Sequence, residues 1–501
     1  MHKIISLLLS ILLCLGLCSC EITDTYPDST LGSGQQQAEK HTELNQISLV
    51  YFDDKGLHPL LETSLANQQV NQAIYQALFT FDENLSIKYG CATEVSMNGK
   101  TITITPNTER RFSDGSVLTP HLIAQSFEFV LEHPDSPYYR QLSNLESADV
   151  QSGMVILTLK EKDPCALYGL NIPIVKEKDG KYYGCGNYML SKHQNMPALV
   201  ANPHSPQKPN LAPIPLLNPI SETTMATMFN SGVLDVLTSN MMVSGTLSIT
   251  REYKSTAFLT NTMLYVGINA QNEKLTTAMR QALGKMIPRE DIVKSVLMGN
   301  AVATTRPFYP KWSSLPEETV SVPDKTVLLD TFKKAGLISK NGELLTVDGK
   351  TPSFDLLVCE KDKTHTATAE KIKSAAAALG LQINLEIADK ETFLKKLKNG
   401  KFDLYIARFS FAPDMNPTAL YAKESEYNYG KMNLENLEKS WKSFTDGKAP
   451  LTQYIENFEK DCPVLPIAFI KNTLYYTEGV SPAGSISYFS PLGHLSSWKS
   501  K

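Results

Sequence analysis

The sequence has 501 residues, of which 42% are hydrophobic, and its formal net charge at pH 7 is −4. This composition argues against a collagen-like, coiled-coil or disordered chain, and the slight acidic excess gives no reason to expect nucleic acid as a partner. The length predicts two or three domains with substantial hydrophobic cores.

The N-terminus has the pattern of an export signal. Lys3 supplies a positive charge, and residues 4–17 form an apolar stretch, which is shorter than the ~20 residues that a membrane-spanning helix needs. The stretch runs into Cys18-Ser19-Cys20, which looks like a bacterial lipobox and predicts lipidation of Cys20. An ordinary secretory signal cleaved nearby is the alternative. We expect residues 1–19 to be a signal peptide and residues 20–43 to be a lipid-anchored flexible tether.

The cysteines give little direct indication of chemistry. Eight are present, and three of them belong to the signal region. Because the remaining five are an odd number, at least one stays unpaired within a monomer. No C-x-x-C occurs, so metal and redox sites are not indicated. We expect most of these cysteines to be buried small hydrophobic residues, although an extracytoplasmic compartment permits one or two disulfides, whose pairing the sequence leaves open. The five cysteines are Cys91, Cys165, Cys185, Cys359 and Cys462.

Strands and helices alternate in the first half of the folded chain. His58 lies in a turn, where we expect it to pack and not to bind a metal. Residues 70–79 are predicted as a short amphipathic helix, and residues 101–105 alternate as a strand. Thr119 then caps a helix that has Pro120 at its first position, where the missing N–H costs nothing.

A central stretch predicts a strand followed by two helices. Apolar residues alternate over 263–268 and then recur at helical spacing over 275–286. Pro288 ends that helix because it has no N–H and its ring clashes with the preceding turn. Glu290 and Asp291 open the next helix, since carboxylates suit the positive end of the helix dipole.

The second half continues the same alternation. Strands are predicted over residues 354–358, 383–387 and 402–407, and helices over 368–379 and 393–398. The last strand leads directly into a run that combines a cation, aromatic rings and a carboxylate. The run is Arg408-Phe409-Ser410-Phe411-Ala412-Pro413-Asp414-Met415-Asn416-Pro417.

Several short sequence segments, spread over the folded chain, resemble motifs of one protein family. Residues 111–120 resemble F-x-D-G-x-P-L-T-A, and residues 279–290 resemble V-R-Q-A-L…A-I-D-R-E. Residues 184–188 resemble G-T-G-P-Y, and residues 461–467 resemble D-x-P-x-I-P-L. These are runs of the extracytoplasmic solute-binding proteins for peptides and nickel (family 5), the capture components of ATP-binding-cassette (ABC) importers. The resemblance extends from about Leu44 to the C-terminus.

The chain also departs from the family pattern at particular positions. Pro288 and Leu122 each stand where the family usually has Asp. Cys185 stands where G-T-G-P-Y has Thr. The first departure falls at a helix boundary, so it bears on the fold and not on a ligand.

The resemblance implies an α/β fold of a specific kind. We expect a two-lobed periplasmic-binding-protein fold (type II, the large cluster with an extra domain), with mixed sheets flanked by helices. Lobe I would comprise residues 44–75, 183–262 and 466–501. Residues 76–182 would form an extra domain II packed on lobe I, and residues 263–465 would form lobe II (domain III).

The resemblance also implies a ligand anchor. In oligopeptide-binding members, the ligand's N-terminal ammonium meets an Asp in a G-W-x-A-D-Y-x-x-P run. The nearest match here is the run after the last strand, which makes Asp414 the candidate anchor. Counting from the strand places Ala412 at that position instead, so an Asp in an ordinary turn is the alternative.

Further ligand contacts are expected on both lobes. Arg408 and Phe409 lie at the end of a strand that would face the cleft, and Glu62 and Thr63 would line the side of the first lobe. Two other arginines have different expected roles. Arg280 is expected to be structural, and Arg306 is conceivable as a bidentate carboxylate clamp.

The implied function is binding without catalysis. Such a protein captures short peptides in an interlobe cleft and delivers them to the ABC permease in the inner membrane, as a monomer held at the periplasmic or cell-surface side through Cys20. The sequence contains no G-x-S-x-G, H-E-x-x-H, P-loop or G-x-G-x-x-G, so no catalytic residue, cofactor or metal is predicted. Two alternatives stay open: the same fold binding a metal chelate, haem or modified peptide, and a surface lipoprotein acting as an adhesin or chaperone.

Overall fold

A computed structural model describes residues 47–52, 58–219, 221–239 and 248–500. The described chain divides into two compact units. Unit A contains the described residues up to 259 together with 412–414 and 472–500. Unit B contains residues 260–411 and 415–471. The predicted signal peptide, the tether and Cys20 lie outside the described residues.

The helices of the described chain are mostly short. They are α1 (Leu65–Ile74), α2 (Pro120–Glu132), α3 (Glu222–Ser231), α4 (Thr277–Met286), α5 (Arg289–Asp291), α6 (Lys325–Lys334), α7 (Lys363–Ala377), α8 (Lys390–Lys398), α9 (Glu435–Thr445) and α10 (Leu451–Asp461). A π-helical turn over Ile292–Val296 continues α5. Single 3₁₀ turns occur at Arg140–Leu142, Ala166–Leu170, Thr418–Leu420 and Leu495–Ser497.

Strands outnumber helices in the described residues. The first group is β1 (Leu49–Val50), β2 (Phe79–Phe81), β3 (Ile87–Tyr89), β4 (Ala92–Asn98), β5 (Thr101–Pro106), β6 (Leu145–Gln151), β7 (Met154–Leu159), β8 (Lys176–Lys178), β9 (Lys181–Tyr183), β10 (Tyr188–His193), β11 (Met196–Ala201), β12 (Ile214–Leu217) and β13 (Val236–Ser239). The second group is β14 (Lys254–Ile268), β15 (Ala301–Ala303), β16 (Ile338–Lys340), β17 (Glu343–Leu345), β18 (Ser353–Cys359), β19 (Gln382–Ala388), β20 (Leu404–Ser410), β21 (Val464–Tyr476), β22 (Val480–Ser481) and β23 (Lys499–Ser500).

Unit A contains two four-stranded sheets. In one, the strand order is β1-β12-β11-β10, and β1 runs parallel to β12. In the other, the order is β4-β5-β7-β6 and every neighbouring pair is antiparallel. Helix α2 packs on strands β6 and β7 of this second sheet. Ile102 and Ile104 of β5 are fully buried, which is the period-two burial that the sequence predicts for residues 101–105.

Unit B is built on a mixed sheet. The parallel strands β18, β19 and β20 are joined by helices α7 and α8, as expected for βαβ units. Strand β14 adds to β20 in antiparallel register, with Leu264 opposite Arg408 and Met263 opposite Phe409. Two strands cross between the units: β14 changes unit after Leu259, and β21 changes unit after Lys471.

Helix boundaries confirm some predictions and correct one. The Thr119 side chain accepts a hydrogen bond from the Leu122 N–H at the start of α2, as predicted. The predicted helix over residues 70–79 is wrong in its bounds, because α1 covers Leu65–Ile74 and begins at the Ser64 cap. The apolar spacing continues past Ile74 into strand β2, so the periodicity alone could not mark the end of the helix.

His58 packs in its turn, as predicted. Its ring stacks on Phe129 with centroids 4.0 Å apart and meets the edge of Tyr182 at 4.6 Å. Its Nδ1 accepts a hydrogen bond from the Leu60 N–H at 3.1 Å. Burial lowers the pKa of His58 to about 4, and the charge of the neighbouring His133 contributes a smaller part of this shift. The ring is therefore neutral at pH 7.

Within the described ranges, none of the helices combines the length and the apolar character needed to cross a membrane. Apolar side chains are instead gathered in cores inside each unit. In unit B an aromatic core joins helices α9 and α10, where the ring centroids of Trp441 and Tyr454 are 5.1 Å apart. The hydroxyl oxygens of Tyr454 and Tyr421 are 2.7 Å apart.

Candidate functional site

Glu62 and Thr63 lie in the turn that precedes helix α1 of unit A. The Glu62 side chain is buried, and its two carboxylate oxygens accept hydrogen bonds from the Ser64 N–H (2.7 Å) and from Asn67 Nδ2 (2.8 Å). Asn67 also pairs with the backbone of Phe52 through both ends of its amide. Glu62 therefore places a negative charge at the positive end of the helix dipole, whereas Thr63 is exposed.

Asp414 ends a three-residue segment that belongs to unit A. The residues before and after this segment, Phe411 and Met415, belong to unit B. Asp414 is half-buried, and Met415 takes a left-handed backbone conformation with φ 59°. The chain thus turns at this point, and the segment contributes the Asp414 carboxylate to unit A.

The charge of Asp414 acts on a second carboxylate of unit A, Asp163. The pKa of Asp163 is raised to about 6, chiefly by burial. The Cys165 N–H, which donates to Asp163 at 2.9 Å, lowers this pKa, and the negative charge of Asp414 raises it. Burial also raises the pKa of the Cys165 thiol, as do the charges of Asp163 and Asp414. The negative charge of Asp414 therefore disfavours ionisation of both Asp163 and Cys165.

Sequence reasoning did not single out Asp163. It stands directly before Pro164, in the turn that leads to the 3₁₀ helix Ala166–Leu170. An Asp-Pro pair after a strand is an ordinary turn signal, and no spacing links it to Asp414. Only the folded structure brings the two carboxylates into one electrostatic environment.

Arg408 and Phe409 are the two predicted site residues of unit B, and both are only 2% exposed. The Arg408 guanidinium forms an ion pair with Asp362. Asp362 is the N-cap of helix α7 and also accepts from the Thr364 and His365 N–H groups. The Phe409 ring packs on Phe411 at 4.9 Å and on Tyr427 at 5.3 Å. Both side chains are therefore engaged within unit B.

The two other arginines are also engaged within unit B. Arg280 Nη2 donates to the Asp461 carbonyl at 2.7 Å and to the Thr277 hydroxyl at 3.1 Å, which agrees with the structural role predicted for it. Arg306 Nε donates to Glu459 at 3.0 Å, and its Nη1 donates to the Pro316 carbonyl at 2.9 Å.

Unit A also contains a polar cavity of about 320 Å³. Glutamines from and just beyond helix α1 form one wall, and the C-terminal segment forms another. The residues that carry these walls include Gln69, Gln72, Gln76, Asn187, Ser490 and Ser496. None of the five predicted ligand-binding residues lines this cavity. Across the described residues, no group of three or more His, Cys, Asp and Glu side chains is arranged to hold a metal ion.

Comparison with known proteins gives one family. A family model described as bacterial extracellular solute-binding proteins, family 5 Middle, matches residues 61–431. That range is well over half of the sequence.

Solved structures show the same fold at low sequence identity. NikZ from Campylobacter jejuni in complex with Ni(L-His) aligns with a TM-score of 0.65 at 17% identity, covering 91% of this chain and 99% of that chain. The oligopeptide-binding protein AppA from Bacillus subtilis in complex with a nonapeptide has a TM-score of 0.59 at 18% identity, with 92% and 98% covered. A nickel ABC transporter structure from Bacillus halodurans has a TM-score of 0.73 at 15% identity, with 91% and 98% covered.

Proposed function

This chain belongs to family 5 of the bacterial extracellular solute-binding proteins, and on that premise we propose that it captures short peptides with a free N-terminal ammonium and delivers them to an ABC importer. The observation that carries the proposal is the pair of interacting carboxylates, Asp163 and Asp414, in unit A. The nonapeptide in the AppA structure supports a peptide as the class of ligand.

The carboxylate pair suits an ammonium group for an electrostatic reason. Burial disfavours a charge on Asp163, and the negative charge of Asp414 disfavours it further. An ammonium bound near them is attracted by both negative charges, because it carries a positive charge and three N–H donors. Binding then favours the ionised form of Asp163, so capture of the ligand releases a proton wherever Asp163 is protonated beforehand.

The other predicted residues take different roles in this proposal. Thr63 is exposed and contributes a hydroxyl to the ligand from the turn before α1. Glu62 holds that turn through its bonds to Ser64 and Asn67. Arg408 and Phe409 stiffen the strand end that precedes the Asp414 segment, since both side chains are packed within unit B.

Capture from a peptide pool tests the proposal. Full-length protein is incubated with mixed peptides, and species that co-purify are identified by mass spectrometry. We expect peptides with free N-termini on the wild type and strongly reduced recovery with Asp414→Asn. Asp135→Asn, a change at an exposed carboxylate of the same unit, should retain the wild-type recovery. Recovery of no peptide, or of a metal chelate alone, would contradict the proposal.

The proposal extends to location. A lipid on Cys20 would hold a monomeric protein at a membrane through its tether, on the side where the ligand is met. The apolar stretch and the lipobox-like run support this. Labelling of cells with a traceable fatty acid should mark the wild type and not Cys20→Ser; equal labelling of both would contradict the anchor.

A further inference from the structure

Two cysteines of unit A lie with their sulfur atoms in contact. Cys91 Sγ and Cys185 Sγ are 3.1 Å apart, and the two residues are 94 positions apart in the sequence. Both side chains are 0% exposed. Folding therefore brings together two thiols that the sequence keeps far apart, in a place that solvent does not reach.

The backbone holds both cysteines against one short segment, residues 73–78. The Cys91 N–H donates to the Ala77 carbonyl at 2.9 Å, and the Gly186 N–H donates to the Ile74 carbonyl at 2.9 Å. A Cβ on Gly184 would lie 1.9 Å from the Ile74 oxygen, and one on Gly186 would lie 2.3 Å from the Ala73 oxygen. The two glycines therefore permit the close approach that presents Cys185 to Cys91.

The two thiols have opposite pKa shifts, and a positive charge lies near both. Burial raises the pKa of the Cys91 thiol, whereas the hydrogen bond that the two sulfurs share lowers the pKa of the Cys185 thiol. The positive charge of Arg110 favours the thiolate form of both. Arg110 Nε and Nη1 are buried, and in the described part of the chain they donate to no other group.

We propose that Cys91 and Cys185 form a structural disulfide in the mature protein. The family is extracellular, and disulfides persist in such oxidising compartments. The sulfurs need to approach by about 1 Å to reach bonding distance. This inference rests on the family and on the sulfur contact, and it holds whichever ligand the protein captures.

The oxidant is a second disulfide, either small or carried by a protein. The Cys185 thiolate attacks one of its sulfurs and displaces a thiolate, which leaves a mixed disulfide on Cys185. Cys91 loses its proton and attacks the Cys185 sulfur, which displaces the second thiolate. The two cysteines lose two electrons and two protons, and the oxidant becomes two thiols. Because both sulfurs are fully buried in the folded unit, the bond forms during folding, before residues 184–186 pack against α1.

Alkylation of the full chain tests the proposal without any variant. Protein folded in a glutathione redox buffer is unfolded with iodoacetamide in the absence of reductant. Of the five cysteines from Cys91 onwards, we expect three to be alkylated, and all five after reduction. Proteolysis should yield a peptide pair that joins Cys91 to Cys185. Alkylation of all five without reduction, or a bond that involves another cysteine, would overturn the proposal.

Thermal unfolding supplies the matched comparison. Reductant present during unfolding should lower the Tm of the wild type by several degrees, because the released chain regains its freedom. The Cys91→Ser/Cys185→Ser variant should show no such response, and Cys462→Ser should respond as the wild type does. If the double variant does not fold, the Cys462→Ser variant and the number of alkylated cysteines still test the proposal. A wild-type Tm that does not change when reductant is added would contradict the disulfide.

Discussion

At the scale of single residues, a buried charged side chain contributes to stability only together with its partner of opposite charge. Arg408 is surrounded by unit B, and its guanidinium is neutralised by Asp362 at the start of α7. The same carboxylate lies 3.6 Å from His365 Nε2. A buried ion pair of this kind is costly to break, because the remaining partner is left as an uncompensated charge in a medium of low polarity.

Replacing Arg408 with Met should therefore destabilise the protein strongly. We expect a loss of about 3–5 kcal/mol in the free energy of unfolding, since Asp362 would stay buried without its partner. The measurement is a denaturant titration. Lys333→Met, which breaks an exposed pair with Asp330, should cost less than about 1 kcal/mol. If both variants lost the same small amount, the ion pair between Arg408 and Asp362 would not be a source of stability in unit B.

The sequence predicted the local setting of such residues but not their partners. Arg408 follows a strand signal, and its place at the end of β20 was predictable. Asp362 is far from it in the sequence and starts a different helix, so no spacing rule connects the two. His58 could be predicted as a packing residue from its turn, yet its stacking partner Phe129 comes from the distant helix α2.

At the scale of elements, close packing between two strands explains why a glycine occupies one strand position. The alternating pattern of apolar residues alone does not require glycine there. Gly267 of β14 stands opposite Tyr405 of β20. A Cβ on Gly267 would lie 2.0 Å from the Tyr405 ring. That ring also packs on Phe402 at 5.1 Å and on Tyr429 at 6.2 Å, so it has neighbours on the sides to which it could move.

Gly267→Ala should destabilise unit B. The added methyl group forces the Tyr405 ring out of a packed position, which costs about 1–3 kcal/mol. Adding Tyr405→Ala to Gly267→Ala should cost less than the sum of the two single changes, because the second change removes the clash. Gly479→Ala, where a Cβ meets nothing within 4 Å, should change stability by less than about 0.5 kcal/mol. Strict additivity in denaturant titrations would contradict the clash.

The start of α2 and the break between α4 and α5 were predicted well, whereas the bounds of α1 were not. Thr119 and Pro120 fixed the start of α2, and Pro288 stands between α4 and α5 as expected. Helix α1 was misplaced because its apolar positions continue at similar spacing into β2. The π-helical turn at Ile292–Val296 has no sequence signature that separates it from an α-helix.

At the scale of the whole molecule, the shared order of family motifs predicted a chain that returns to an earlier unit. The structure changes unit inside β14, after Leu259, and inside β21, after Lys471. The three-part division into two lobes and an extra domain over 76–182 stays a prediction. The assignment of residues 412–414 to unit A depends on long-range contacts that no local pattern encodes.

Under the proposed function, we expect ligand capture to depend on pH. The pKa of Asp163 is raised to about 6 from 3.8, so the folded protein holds this proton at pH values where the unfolded chain has lost it. The contribution of Asp163 to stability therefore falls as pH rises from about 4 to 6, and the ionised form that prevails above pH 6 is the one that attracts a cation.

Calorimetric titration of a short peptide at pH 7.5 and pH 5.0 is the decisive experiment for capture through an ammonium group. We predict about tenfold tighter binding at pH 7.5, since roughly one unit separates pH 5.0 from the pKa of Asp163. Asp163→Asn should bind more weakly and lose the pH dependence, and the N-acetylated peptide should not bind measurably. Equal affinity for the free and acetylated peptides, unchanged by Asp414→Asn, would contradict a role for the two carboxylates in binding.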